Sequence, residues 1–228
     1  MERTTEAEAE RETGVRERDV RVEVLLYEGF DELDGVGPYE VFRTAAAFGG
    51  SVDARTVGVD GVEAVTASHG LRIGVDGELG APDALVVPGG GWNAGDDRPG
   101  ARREAERGVV PEAVRSRYEA GATVAAVCTG GMLLAEAGLL DGRPAVTHAG
   151  ALDDLRATPA EVVDARVVDD GDVLTAGGIT SGLDLALHLV GRWCGREVAD
   201  RVAVELEYDR DPSRVFVVGE ADEEPIDG

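Results

Sequence analysis

The residue most able to do chemistry is Cys128. An apolar run, Thr123 to Val127, leads straight into it, and Thr129, Gly130 and Gly131 follow before an amphipathic helical pattern begins. The order strand, cysteine, small residues, helix puts one thiol on a tight turn at the carboxyl edge of a buried strand. A helix N-terminus then lies beneath it, where unpaired N–H groups and the helix dipole favour an anion. A cysteine so placed is expected to have a lowered pKa and to act as a thiolate nucleophile. The competing reading is a buried cysteine serving as a small hydrophobe. The small residues after Cys128, which a sharp turn with an exposed sulfur requires, count against it.

The elements that must position this thiol read as alternating strands and helices. Val20 to Leu26 reads as the first strand, Tyr27 to Gly35 as a loop, and Tyr39 to Phe48 as a helix with Pro38 in its first turn. Val52 to Val59 is a second strand, and Val65 to Val75, broken by Ser68, His69 and Gly70, a small hairpin. Ala84 to Val87 is a short buried strand ending in Pro88-Gly89-Gly90-Gly91, and Pro99 to Gly121 is helical, divided by Gly108 and Pro111. Ala145 to Thr147 is a short strand, and Ala165 to Asp169 and Val173 to Ala176 flank a turn at Asp170-Gly171-Asp172. Ser181 to Trp193 and Glu197 to Leu206 close the chain as helices. This alternation predicts a flavodoxin-like α/β fold, a three-layer sandwich with a mainly parallel sheet covered on both faces. Ligands in such sheets bind at the carboxyl ends of the strands, where the loops Asp31–Pro38, Pro88–Asn93, Cys128–Gly131 and Thr147–Gly150 would meet.

A chain of 228 residues suits a single domain, expected over 20–216, between a charged, disordered arm at 1–19 and an acidic tail at 217–228. The amino-terminal stretch has no apolar core of a signal peptide, and no run of eighteen apolar residues occurs. A cytoplasmic protein is therefore expected. The formal charge is −24, and every one of the 22 basic residues is arginine. Such a surface argues against nucleic-acid and anionic-membrane partners. It resembles the composition of proteins from salt-loving archaea, in which screening at molar salt, with a Debye length of roughly 3 Å, makes self-repulsion tolerable. Two cysteines and three histidines offer neither a disulfide framework nor a His-rich metal site, so no metal site is expected.

Five segments together resemble the ThiJ/PfpI superfamily, which has the class I glutamine-amidotransferase-like fold. They are LDGVGPYEVF (Leu33–Phe42), ALVVPGG (Ala84–Gly90), VCTGGMLLAEAGLLDGRPAVTH (Val127–His148), LTAGGITSGLDLAL (Leu174–Leu187) and LEYD (Leu206–Asp209). Within it, Asp34 before Gly-Pro-x-Glu-Val-Phe, the Cys-Thr-Gly and Thr-His pairs, and Gly-Gly-Ile-Thr-x-Gly-x-Asp look like the isonitrile hydratase branch. That branch in turn resembles the sensor domains of AraC-type regulators.

The resemblance implies a carboxylate from the first loop beside the cysteine, and Asp34 holds that position. There it could shuttle a proton, its own pKa raised by the thiolate; alternatively it caps the following helix. Asp31 and Glu32 read as surface acids. Gly90 matches the anion-facing glycine, with Gly89 beside it in the same oxyanion or substrate site, and the Gly90 N–H with that of Thr129 would form an oxyanion pair; alternatively Gly89-Gly90-Gly91 only turns the chain. His148 matches a histidine that would hold substrate or assist proton transfer, or it is structural. Gly178, Ile179 and Thr180 are expected to line the pocket. Asp184 reads as a complement to its helix dipole, Cys194 as core, and His69 and His188 as non-catalytic.

The implied activity is a cysteine-dependent hydratase or hydrolase of a small molecule, converting an isocyanide to an N-substituted formamide without a cofactor. Glyoxalase or deglycase action on methylglyoxal-like carbonyls, and a non-enzymatic ligand- or redox-sensing module, are the alternatives. Three departures from family patterns shape these expectations. Thr129 stands where the protease branch has histidine, so peptidase activity is not expected. Asp34 stands where the deglycase branch has glutamate. Ala149 replaces the tryptophan that follows Thr-His in isonitrile hydratases, so the pocket should differ in shape. Only an acidic tail follows Phe216, so a regulator would need a partner to bind DNA. A homodimer is expected by resemblance.

Overall fold

The computed structural model of the chain describes residues 18–219 except 60, 96 and 97. Most of the charged arm and of the acidic tail lies outside the described residues. Among the described residues, no helix is long and apolar enough to cross a membrane.

The sheet has eight strands: β1 (Val20–Leu25), β2 (Val52–Gly58), β5 (Gly77–Glu78), β6 (Ala84–Val87), β7 (Thr123–Val127), β10 (Val167–Asp170), β11 (Val173–Ala176) and β12 (Val215–Val217). Their order is β12-β10-β11-β7-β6-β1-β2-β5. All neighbours pair in parallel except β10 with β11, the hairpin read from Asp170-Gly171-Asp172. The remaining strands form two small ribbons: β3 (Ala64–Thr66) with β4 (Arg72–Gly74), and β8 (Pro144–Ala145) with β9 (Glu161–Val162). Helices α1 (Glu32–Ala47), α6 (Ser181–Cys194) and α7 (Arg196–Glu205) pack together on one face. Helices α2 (Ala101–Arg107), α3 (Val109–Glu119) and α4 (Gly130–Glu136) cover the other, and α5 (Leu152–Arg156) follows β8. Every residue of β6, and Val124 to Val127 of β7, is buried, as strands covered on both faces must be. The predicted three-layer α/β sandwich is the fold observed.

The register brings the functional loops to one edge. Val87 pairs with Ala126 and Ala176 with Val127, so Pro88, Cys128 and Gly177 leave the sheet side by side.

Two helical stretches differ from expectation. The first helix starts at Glu32, not beyond Pro38, because Asp31 caps it by accepting the Leu33 N–H (3.2 Å) and Glu32 and Asp34 complement the dipole in its first turn. Pro38 lies inside that helix. Gly108, at φ 72°, does separate α2 from α3, whereas Pro111 sits within the first turn of α3, where its missing N–H costs nothing.

Candidate active site

Cys128 is the first residue after β7, with Thr129 between it and α4, and has φ 57°, a left-handed backbone uncommon outside glycine. Two carbonyls hold it there: its N–H donates to Ala176 (3.1 Å) and Gly177 (2.9 Å). Thr147 Oγ1 donates to the Cys128 carbonyl at 2.8 Å, a long-range contact with no local sequence signal. Ile179, at φ 39°, is a β-branched residue in the same disfavoured region, which costs on the order of 1–3 kcal/mol. The backbone N–H groups of Ile179 and Thr129 both act on the Cys128 sulfur, favouring its thiolate.

The thiol is not the preformed thiolate expected from its helix. Burial, and after it the Asp34 carboxylate, push it up to about 12 against the two backbone N–H groups. The residue is 5% exposed, and the dipole of the short α4 does not offset the loss of water.

Asp34 is fully buried. Its Oδ2 accepts the Gly89 N–H at 3.1 Å, while Oδ1 is buried without a hydrogen-bond partner. Burial, then the charge of Asp31, raise this carboxyl to about 7. The expected rise is therefore present, but lost hydration rather than a thiolate is its first cause. Capping belongs to Asp31, which leaves Asp34 free to turn inward toward Cys128. The two groups titrate as a pair, holding two protons below about pH 7 and sharing one above it.

The glycine loop departs from its expected role. The Gly90 N–H donates to Thr129 Oγ1 at 2.9 Å and the Gly89 N–H to Asp34, so neither is free for an oxyanion. The donors aimed at the sulfur are Thr129 and Ile179 instead. The loop's glycines are required by close approach: a Cβ on Gly90, at φ 117°, would lie 2.4 Å from the Asp31 nitrogen, and one on Gly89 2.4 Å from the Thr129 nitrogen. Tyr27, missed at the sequence level, is buried beside the pair and donates to the Pro88 carbonyl at 2.6 Å, fixing the same loop.

His148 serves two ends at once. Its Nδ1 accepts the Gly150 N–H at 3.0 Å, capping a short 3-10 turn at Ala149–Ala151. Its opposite edge faces Gly178, where an added Cβ would lie 2.7 Å from Cδ2 and 3.3 Å from Nε2. Gly178 immediately precedes Ile179, the residue that reaches the sulfur.

Other expected site residues have structural partners. Thr180 is exposed, and its hydroxyl accepts from Arg166 Nη2 at 3.1 Å rather than lining the pocket. Asp184 answers to more than a dipole: it is buried between Arg166 Nε (2.6 Å) and the Tyr208 hydroxyl (2.9 Å). His188 Nε2 pairs with Asp169 at 2.6 Å, and Cys194 is half-buried against the core. Glu32 is no idle surface acid, since its carboxylate takes the Ser68 hydroxyl, the backbone N–H groups of His69 and Leu71, and His69 Nδ1. Asp31, Glu32 and His69 bring their ligand atoms within 4.8 Å of one another, the one such group of metal-ligating type among the described residues. Because Glu32 is already occupied by the hairpin, the group acts as a clasp.

Residues 20–192 match the model of the DJ-1/PfpI family. The chain is 35% identical over 209 residues to an isonitrile hydratase of Pseudomonas putida, covering 90% of this chain and 85% of that protein. It is 33% identical over 193 residues to the HTH-type transcriptional regulator GbdR of Pseudomonas aeruginosa, covering 82% of this chain but 50% of the regulator. The crystal structure of Drosophila melanogaster DJ-1beta superposes with a TM-score of 0.72 at 25% identity, covering 84% of this chain and all of that one.

Proposed function

The chain belongs to the DJ-1/PfpI family, and from that premise we propose that it is a cysteine-dependent hydratase of a small molecule, with an isocyanide as substrate. The observation that carries this reading is the buried Cys128–Asp34 pair, in which a carboxyl poised near neutrality sits beside a thiol that needs a base.

The Asp34 carboxylate takes the thiol proton as sulfur bonds to the isocyanide carbon, and returns it to that carbon, giving a sulfur-bound formimidate. The Thr129 and Ile179 N–H groups steady charge on the sulfur. Water then attacks the same carbon with Asp34 as base. One water proton ends on nitrogen and the other on sulfur as the carbon–sulfur bond breaks, and an N-substituted formamide leaves. His148 Nε2 donates toward the substrate nitrogen. Leu33 and Ile179, apolar and exposed at chain positions next to Asp34 and Gly178, suit an apolar substituent.

Supplying an alkyl isocyanide and following the formamide tests this. Formamide formation that vanishes in Cys128→Ala supports it; formamide at an undiminished rate in that variant ends it. Methylglyoxal is the second arm, since relatives include DJ-1-type proteins, and lactate without formamide would move the assignment to carbonyl chemistry. The assembly we expect is a homodimer in the cytoplasm, and the −24 charge supports a working environment of high salt.

A further inference from the structure

Gly150 is held from two sides. Its N–H donates to His148 Nδ1 at 3.0 Å, and its carbonyl accepts Asn93 Nδ2 at 2.8 Å. A Cβ added at Gly150 would lie 3.2 Å from both of those nitrogens, so both partners crowd onto one residue. Asn93 belongs to the loop that runs on from Gly89 and Gly90, which the chain separates from Gly150 by 57 positions. Its neighbour Trp92 fixes the same two loops together: Trp92 Nε1 donates to Asp154 Oδ2 at 2.6 Å. Arg102 completes the join. Its Nε donates to the Trp92 carbonyl at 2.6 Å, and its guanidinium lies 4.5 Å from the Trp92 ring centroid.

The consequence falls on His148. A ring nitrogen that accepts an N–H carries no proton itself, so a neutral imidazole bonded in this way holds its proton on Nε2. The Cδ2–Nε2 edge of the ring is the one facing Gly178, one residue before Ile179, whose N–H acts on the Cys128 sulfur. We propose that Asn93, backed by the Trp92–Asp154 contact, is a positioning residue that holds the Gly150 turn and thereby fixes His148 as an Nε2–H donor turned toward the Cys128 pocket. The catalytic part of this inference rests on the reading that His148 donates to the substrate; the tautomer itself does not.

The test separates the two. Nitrogen-15 NMR of histidine-labelled full-length protein at a pH of about 8.5, above the ordinary histidine range, reads the tautomer directly. His148 is assigned by its loss in His148→Gln. The wild type should show the proton on Nε2. Asn93→Asp keeps the shape but removes the donor and opposes a carboxylate to the Gly150 carbonyl; Gly150→Ala pushes both partners apart. Each should shift the tautomer ratio toward Nδ1–H by about five-fold, the worth of one ordinary hydrogen bond. With an isocyanide, kcat should fall on the order of ten-fold with KM within about two-fold, because misplacing a donor costs the transition state more than binding. Iodoacetamide labelling of Cys128 should stay unchanged, showing an intact thiol pocket. Asn93 is exposed, so neither folding nor melting temperature should suffer, and Trp92→Phe, which keeps the ring and loses the donor, provides a second probe. A wild-type His148 with its proton on Nδ1, or an Nε2–H signal unmoved in all three variants, overturns the inference. A shifted tautomer with no isocyanide turnover in any form would keep the device and remove the hydratase reading.

Discussion

Two buried aspartates stand at different places in this molecule and have opposite fates. Asp169, 4% exposed, is surrounded by His188 Nε2 at 2.6 Å, Arg192 Nη1 at 3.0 Å and the Gly171 N–H at 2.9 Å. Burial works against its charge, yet these donors hold its carboxyl below the ordinary value. Asp34, 0% exposed, has one backbone N–H, an orphaned oxygen and a thiol, and its carboxyl rises to about 7. Both are buried aspartates, Asp34 the more completely, and the larger difference lies in the partners. A satisfied buried carboxylate is a structural tie. One left short of donors beside a nucleophile is able to exchange a proton near neutrality.

The contrast is sharpest under substitution. Removing the nucleophile with Cys128→Ala should abolish formamide production while leaving the fold, because the site loses the atom that bonds to carbon. Asp34→Asn should lower kcat/KM by roughly 10²–10⁴-fold, the range for a lost general acid–base group. It should also raise the melting temperature above pH 7. The sign follows from the raised carboxyl: ionising Asp34 costs the folded state, so its favourable contribution is complete below about pH 4 and is lost as pH rises through about 7. Asparagine has no charge to bury.

Asp169→Asn should do the reverse. Stability should fall by about 2 kcal/mol, or roughly 4–8 °C in Tm for a chain of this size, while kcat per folded molecule is unchanged. For Asp169 the native contribution is present above the ordinary carboxylate range and disappears as pH falls below it. Thermal melts of both variants across pH check both signs; parallel curves would erase the distinction between the two aspartates. The smallest effect is global: a charge of −24 should make Tm climb steadily between about 0.1 and 1 M salt as screening shortens from roughly 10 to 3 Å.

Much of this was legible in the chain because it is local. The order strand, Cys128, small residues, helix is written in adjacent positions, and the turn with φ 57° follows from it. The hairpin around Asp170-Gly171-Asp172 and the division at Gly108 are likewise short-range. Asp34 was legible only through resemblance, because nothing in its own neighbourhood tells a buried carboxylate from a capping one; that was settled by Asp31 taking the cap. The return of β12 alongside β10, and the two-residue β9, carry too little pattern to be read. The thiol's protonation was misread for a related reason. Helix geometry is local, whereas burial and a carboxylate 94 positions earlier in sequence are not, and the latter prevail. Gly90 fell the same way, since its N–H is claimed by the Thr129 side chain, a partner visible only once the loops meet.

The most direct test is the rate of iodoacetamide labelling at Cys128 between pH 5 and 10, in the Cys194→Ala background, with and without Asp34→Asn. If Asp34 is the base for a protonated thiol, labelling rises through about pH 7 as the carboxyl ionises, and Asp34→Asn removes that step. Labelling that is fast and flat from pH 5 upward would reveal a preformed thiolate, and a step at pH 7 that persists in Asp34→Asn would assign the proton to another group; either result contradicts the shared-proton pair.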